Sequence, residues 1–280
     1  MKRGEDVSFK NILLAHTGST AFPSSLRYAA KIAAKHDAWL TGVYGGVSSY
    51  FDQVLGLTDD LRLRLLEVKQ EKIEGIRKQF NEEVARAGIQ ERAEFLTLEA
   101  VGKLSPTDIA RYFDFVVTGY QSKVPNDEYR SVSPDLMALR SGRPVLVVPD
   151  GYEAETLANH ALVAWDGKRS AARAINDAMA VLEEKPRKVS VLTVGDVVHT
   201  LPAGAGILKH LERHGIQADH IQRQKSGRSI AEIIKATADE IGAKLIVMGA
   251  YEHSKFSQDL FGGVTHEVLH SVRVPVFMSH

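Results

Sequence analysis

The chain repeats itself, and that repeat limits its possible folds more than any other feature. Residues 11–18 read NILLAHTG and residues 160–167 read HALVAWDG, each an apolar run that ends in a polar residue and a glycine. Each is followed by a segment of helical character, SLRYAAKIAAKH in the first case and SAARAINDAMAVLEE in the second. The halves also close alike. FDFVVTGY (113–120) leads through a helix-sized segment to PVLVVP (144–149), and KLIVMGAY (244–251) leads in the same way to PVFMSH (275–280). Four landmarks in one order point to a duplicated unit. The stretch DGYEAETLAN (150–159) is polar and has no apolar period, so it reads as a linker between units at 1–150 and 156–280. A chain of 280 residues is also long enough for two domains.

Continuous apolar runs are expected of strands buried on both faces. They place strands near 11–16, 38–44, 92–98, 114–119 and 144–149 in the first unit. In the second unit they fall at 161–165, 189–194, about 217–223, KLIVMG and PVFMS. Helical segments lie between them. A long charged helix is expected over 60–87, and Pro186 is expected to stop the helix that follows 167. Ser226 or Ser229 can cap a helix carrying Ile230, Ile233, Ile234 and Ile241. Segment 45–59 reads as a loop or short helix over the sheet edge. Strands alternating with helices require crossover connections. The expected class is α/β: two tandem units, each a five-stranded parallel sheet with helices on both faces, Rossmann-like.

Charge and cysteine content exclude several function classes. The 35 basic and 35 acidic residues cancel, which leaves no basic footprint for a nucleic acid. There is no cysteine, hence no thiolate chemistry and no disulfide framework. The N-terminus lacks the apolar core of a signal peptide, and no apolar run approaches a membrane span. The expectation is a cytoplasmic protein.

In open parallel sheets, ligands bind beyond the carboxyl ends of the strands, where the strand order reverses. After the first strand of the second unit stands Asp166-Gly167. A carboxylate there accepts hydrogen bonds from a ribose hydroxyl or an adenine amino group; the plainer reading is a helix N-cap. After the fourth strand stands Gly249, and then Gly262-Gly263-Val264-Thr265 at a helix start. Glycines let a backbone approach phosphate, and helix N-terminal amides supply donors. The plainer reading is a strand end and a turn.

These residues resemble the universal stress protein family in its tandem, two-domain form. ATP-binding members carry Asp after strand one and Gly-x2-Gly-x9-Gly-(Ser/Thr) after strand four. Asp166 matches the acid, Gly249 the first glycine and Gly262 the third, and Val264 and Thr265 match the residues that follow. The resemblance covers nearly the whole chain. It implies five parallel strands per unit, pairing of units through their last strands, and backbone contacts to nucleotide from Val194 and Met248. Two positions depart from the pattern: Glu252 stands at the second glycine and Gly263 at the Ser/Thr. A carboxylate repels a triphosphate unless a divalent metal such as magnesium bridges them. Thr265, two residues on, can replace the lost hydroxyl.

The first unit departs further. Thr17 stands where the acid belongs, Gly119 matches the first glycine, and Arg130 precedes Ser131-Val132-Ser133 in place of the third. That unit reads as structural or as a partner surface. Among the 11 histidines, His210 and His214, and also His266 and His270, stand four apart and so share a helix face. Solvated side chains are the plainer reading for the first pair. The second pair lies near the candidate site, as does His253, and its spacing permits a metal or phosphate contact. Lys225, Arg228 and Lys255 could reach phosphate, though each also reads as a solvated charge. No nucleophile elbow or Walker loop is present. The expected function is a stress-response module that binds ATP or another adenine nucleotide in its second unit, with a homodimer or a protein partner on the first. A slow magnesium-dependent ATPase, with Glu252 as the one local base, and an interaction protein that has lost nucleotide binding stand as alternatives.

Overall fold

A computed structural model describes residues 9–16, 20–44, 58–97, 104–120, 134–153, 157, 160–184, 187–195, 205–250 and 263–280. In the first half the elements are β1 (Asn11–His16), α1 (Phe22–His36), β2 (Trp39–Tyr44), α2 (Asp59–Arg86), β3 (Ala93–Thr97), α3 (Pro106–Ala110), β4 (Phe115–Gly119), α4 (Pro134–Arg140) and β5 (Val145–Val148). The second half has β6 (His160–Ala164), α5 (Arg169–Asp177), α6 (Met179–Leu182), β7 (Lys188–Val194), α7 (Ile207–Arg213), β8 (Ala218–Arg223), α8 (Ile230–Glu240), β9 (Leu245–Gly249), α9 (Val264–Ser271) and β10 (Val276–Ser279).

All ten strands form one sheet, in the order β3-β2-β1-β4-β5-β10-β9-β6-β7-β8. Every neighbouring pair is parallel except the central one. There β10 runs antiparallel to β5, pairing Val276 with Val147, Phe277 with Leu146 and Met278 with Val145. Each half contributes five parallel strands, and the halves join through their last strands. The antiparallel seam has a consequence: the carboxyl ends of the first five strands and those of the last five lie on opposite edges of the sheet.

Local chemistry accounts for the helix ends. Thr58 caps α2 by accepting a hydrogen bond from the Leu61 amide, and Asp59 and Asp60 sit in its first turn, where carboxylates favour the dipole. Only its C-terminal half is anchored, by Ile73, Ile76, Phe80 and Val84. Phe80 lies on Gly42 of β2, so closely that a Cβ at Gly42 would stand 2.8 Å from the ring. Of the two serines expected to cap α8, Ser229 does so in a full capping box with Glu232. Ser226 instead holds a left-handed turn with φ 42°.

The helix expected after residue 167 is not continuous. It breaks at Ala178, whose carbonyl takes a tight three-residue bond from Val181, into α5 and the short α6. α6 ends at Leu182, with Glu183 as its C-cap, before the expected stop at Pro186, which lies outside the described residues. Among the described residues no helix is long and apolar enough to cross a membrane.

Candidate functional site

The strand order reverses beside β6, which is flanked by β7 on one side and by β9 on the other. Register places Ala164 opposite both Leu192 and Met248, so the carboxyl ends of these three strands stand together. Asp166, Val194, Met248 and Gly249 are at those ends, and Gly263 opens α9. Glu252 and Gly262 lie outside the described residues, as do Thr17, Arg130, Ser131, Val132, Ser133, His253, Lys255 and the segment 45–57.

Asp166 is not the N-cap of α5. Lys168 holds that position, with no side-chain cap bond. The reason is one of spacing: Gly167 takes φ 76°, which delays the helix start. Asp166 accepts the Lys168 amide on Oδ1 at 3.0 Å, an Asx turn, and its Oδ2 lies 4.0 Å from Lys168 Nζ. The carboxylate is half exposed beyond the strand end.

Gly249 has a packing reason to be glycine. A Cβ there would stand 2.4 Å from Ser170 Oγ and 2.6 Å from the Ala171 nitrogen. The first turn of α5 therefore sits directly on β9. Gly263 has a conformational reason. It is the N-cap of α9 with φ 120°, a region that serine or threonine rarely adopts, which accounts for the missing hydroxyl at this position. Thr265 is buried in the first turn, Val264 is half-buried, and Met248 is buried in the core. Val194 is half-buried at the end of β7, where Gly195 donates to the Arg223 carbonyl at 2.8 Å.

The first half has different chemistry at the matching place. His16, the counterpart of Trp165, closes β1 and is buried against the rings of Phe22 and Tyr44, with centroids at 4.5 and 5.3 Å. Burial, aided by the charge of Lys72 on α2, lowers its pKa to about 4. The imidazole is therefore neutral near pH 7. Tyr120 follows Gly119 at the end of β4, and its ring meets His270 of α9 edge-on at 5.0 Å. Sequence reasoning passed over His16, because one histidine after an apolar run gives no signal of its burial.

The histidine pairs separate. His214 Nδ1 is engaged with Glu183 at 2.9 Å. His266 and His270 face each other through their Nε2 atoms at 3.0 Å. Burial, and then the neighbouring His266, lower the pKa of His270. Among the described residues there is no group of three or more His, Cys, Asp and Glu side chains placed to hold a metal ion. Lys225 and Arg228 lie in the turn before α8, joined through the backbone.

A second polar constellation lies between the halves, and it too was missed. Glu184 binds Lys35 Nζ at 2.5 Å and His36 Nε2 at 2.8 Å, both from α1, and Arg187 Nη2 at 3.1 Å. It borders a small cavity lined by Tyr28, Ile32, Phe115, Leu157 and Phe277. Lys35 and His36 lie 149 and 148 residues from Glu184 in sequence, and each is an ordinary surface type when read alone.

Residues 158–280 match the universal stress protein family. No curated protein matches the chain in sequence. Among solved structures, a universal stress protein from Archaeoglobus fulgidus DSM 4304 is similar, with a TM-score of 0.73 at 18% identity, covering 95% of each chain. A putative universal stress protein from Pseudomonas aeruginosa UCBPP-PA14 is similar with a TM-score of 0.52 at 14% identity, covering 96% of this chain and 92% of the other. A functionally unknown protein from Pseudomonas aeruginosa PAO1 is similar with a TM-score of 0.51 at 13% identity, over the same shares. Residues 158–280 thus match the universal stress protein family, and the chain over nearly its whole length has a fold similar to that of a universal stress protein of known structure.

Proposed function

We propose that this is a stress-response module whose second half binds an adenine nucleotide, ATP or AMP, at the carboxyl ends of β6, β7 and β9. The division at 1–150 and 156–280 is part of the same proposal. One observation carries it: Asp166, Val194, Met248 and Gly249 all stand at neighbouring strand ends where the strand order reverses. In this reading the exposed Asp166 carboxylate accepts from a ribose hydroxyl or the adenine amino group, beside the backbone of Val194 and Met248. The turn at Gly263, Val264 and Thr265 offers amides and the positive end of α9 to the phosphates. By its place in the sequence pattern, Gly262 is assigned to the same phosphate-binding set. The sequence pattern puts Glu252 among the phosphate-binding positions, and a carboxylate in that role requires a divalent ion such as magnesium, since like charges repel without one. The first half, with His16 where the second has Trp165, serves as a partner surface.

Calorimetric titration with ATP, with and without magnesium, tests this reading on the full chain and on Asp166→Ala. Loss of a hydrogen bond to a charged group is worth about 1.5–3 kcal/mol, so the variant should bind roughly 10- to 100-fold more weakly. Binding that is millimolar or absent in both proteins sinks the nucleotide reading and leaves an interaction module. Phosphate release above the variant's background would identify a slow ATPase.

A further inference from the structure

We propose that His266 and His270 form a two-histidine chelate for a divalent transition-metal ion, at the rim of the strand ends of the first half. Three observations support it. The two side chains stand one turn apart on α9 and share a hydrogen bond between their Nε2 atoms at 3.0 Å; an ion would take the place of that bond, with the shared proton moving to Nδ1 of the donor ring or to water. Two nitrogens bound to one ion at about 2.0–2.1 Å stand roughly 2.9 Å apart at a right angle and roughly 3.3 Å apart at the tetrahedral angle. The observed separation therefore matches two adjacent positions of a square or octahedral ion, and a tetrahedral ion needs a shift of only a few tenths of an ångström.

Access is also right. His266 is half-buried and His270 exposed, so an ion can reach both nitrogens and complete its shell with water or an anion. Finally, the pair is held from outside its own helix. Tyr120 packs edge-on against the His270 ring at 5.0 Å and an interplanar angle of 85°. The antiparallel seam makes this contact possible. α9 starts at the strand ends of the second half and runs back toward those of the first, where Tyr120 follows β4. An ion on the pair thus sits on a second-half helix beside the first half's strand ends. Imidazole nitrogens favour Zn2+, Ni2+ and Cu2+ over Mg2+ or Ca2+.

The test is calorimetric titration of the full chain with Zn2+ and with Cu2+, beside His266→Ala, His270→Ala and the control His210→Ala. Circular dichroism confirms that each variant is folded. One ion should bind per chain in the micromolar range. Changes in second-shell groups alone cost 10- to 100-fold in affinity, so loss of either ligand should weaken binding by at least about 10-fold. His210→Ala should bind as the parent does. Electron paramagnetic resonance of the Cu2+ form should show coupling to two imidazole nitrogens in the parent and to one in each ligand variant. No binding tighter than millimolar, or binding that persists unchanged in both ligand variants, overturns the proposal.

Discussion

Replacing Glu184 with alanine should cost about 3–5 kcal/mol of unfolding free energy, the usual effect of removing one partner of a buried ion pair. Its carboxylate is 11% exposed and is shared by His36 at 7%, Arg187 at 1% and the more accessible Lys35. A carboxylate only accepts, so His36 donates from Nε2. Without Glu184, Arg187 keeps the Leu157 carbonyl but loses its counter-charge in an enclosed place. Urea unfolding of Glu184→Ala and Glu184→Gln measures it, and a cost within 0.5 kcal/mol for both would refute this account.

The same group should produce an acid limb. Burial alone would raise the pKa of Glu184, but hydrogen bonds from His36 and Lys35 and the charge of Arg187 outweigh it and lower the pKa to about 2. A folded pKa below the unfolded one means that the stabilisation is complete above the unfolded value of 4.5 and is lost as pH falls toward about 2. The stability gap between the parent and Glu184→Gln should therefore be constant near neutrality and narrow over that window, by roughly 2–3 kcal/mol. A gap that does not change between pH 6 and pH 3 would contradict it. Because Lys35 and His36 belong to α1 and Glu184 to the second half, the loss should loosen one half from the other.

The second large effect is at Gly249. Gly249→Ala should destabilise by about 1–3 kcal/mol, the cost of overpacking a tight contact. The added methyl group would meet the Ser170 hydroxyl, which can rotate away, but also the Ala171 nitrogen at 2.6 Å and the Ser170 carbonyl carbon at 2.7 Å, which cannot. α5 must therefore lift from β9. Adding Ser170→Ala removes only the soft contact, so the double variant should recover little. Thermal unfolding of the three proteins decides this, and an undiminished midpoint in Gly249→Ala would disprove the packing role. The result also governs how nucleotide titrations are interpreted. α5 begins three residues after Asp166, so weaker ATP binding in Gly249→Ala reports a displaced crevice as readily as a lost phosphate contact.

Much of this architecture was legible in residue order. Runs such as NILLAH and KLIVMG became β1 and β9 to within a residue or two, because a strand covered on both faces tolerates few polar side chains. Ser226 and Ser229 both marked the start of α8, because capping is local; the capping box with Glu232 singled out Ser229. The site was legible only in outline. Asp166 and Gly249 stood out by position, yet the Asx turn and the seat for α5 depend on Gly167 at φ 76° and on how closely a helix approaches a strand.

The sequence by itself determined the alternation of strands and helices and the five strands of each half. These follow from backbone hydrogen bonding and from the spacing of apolar side chains, both of which act over a few residues. Only the tertiary structure decided what happens between the halves. It placed β5 antiparallel to β10, turned the two sets of strand ends to opposite edges, buried Glu184 against Lys35 and His36, and brought His270 to Tyr120. Such contacts join residues more than a hundred positions apart, and their strength comes from burial and charge pairing that exist only once the chain has packed.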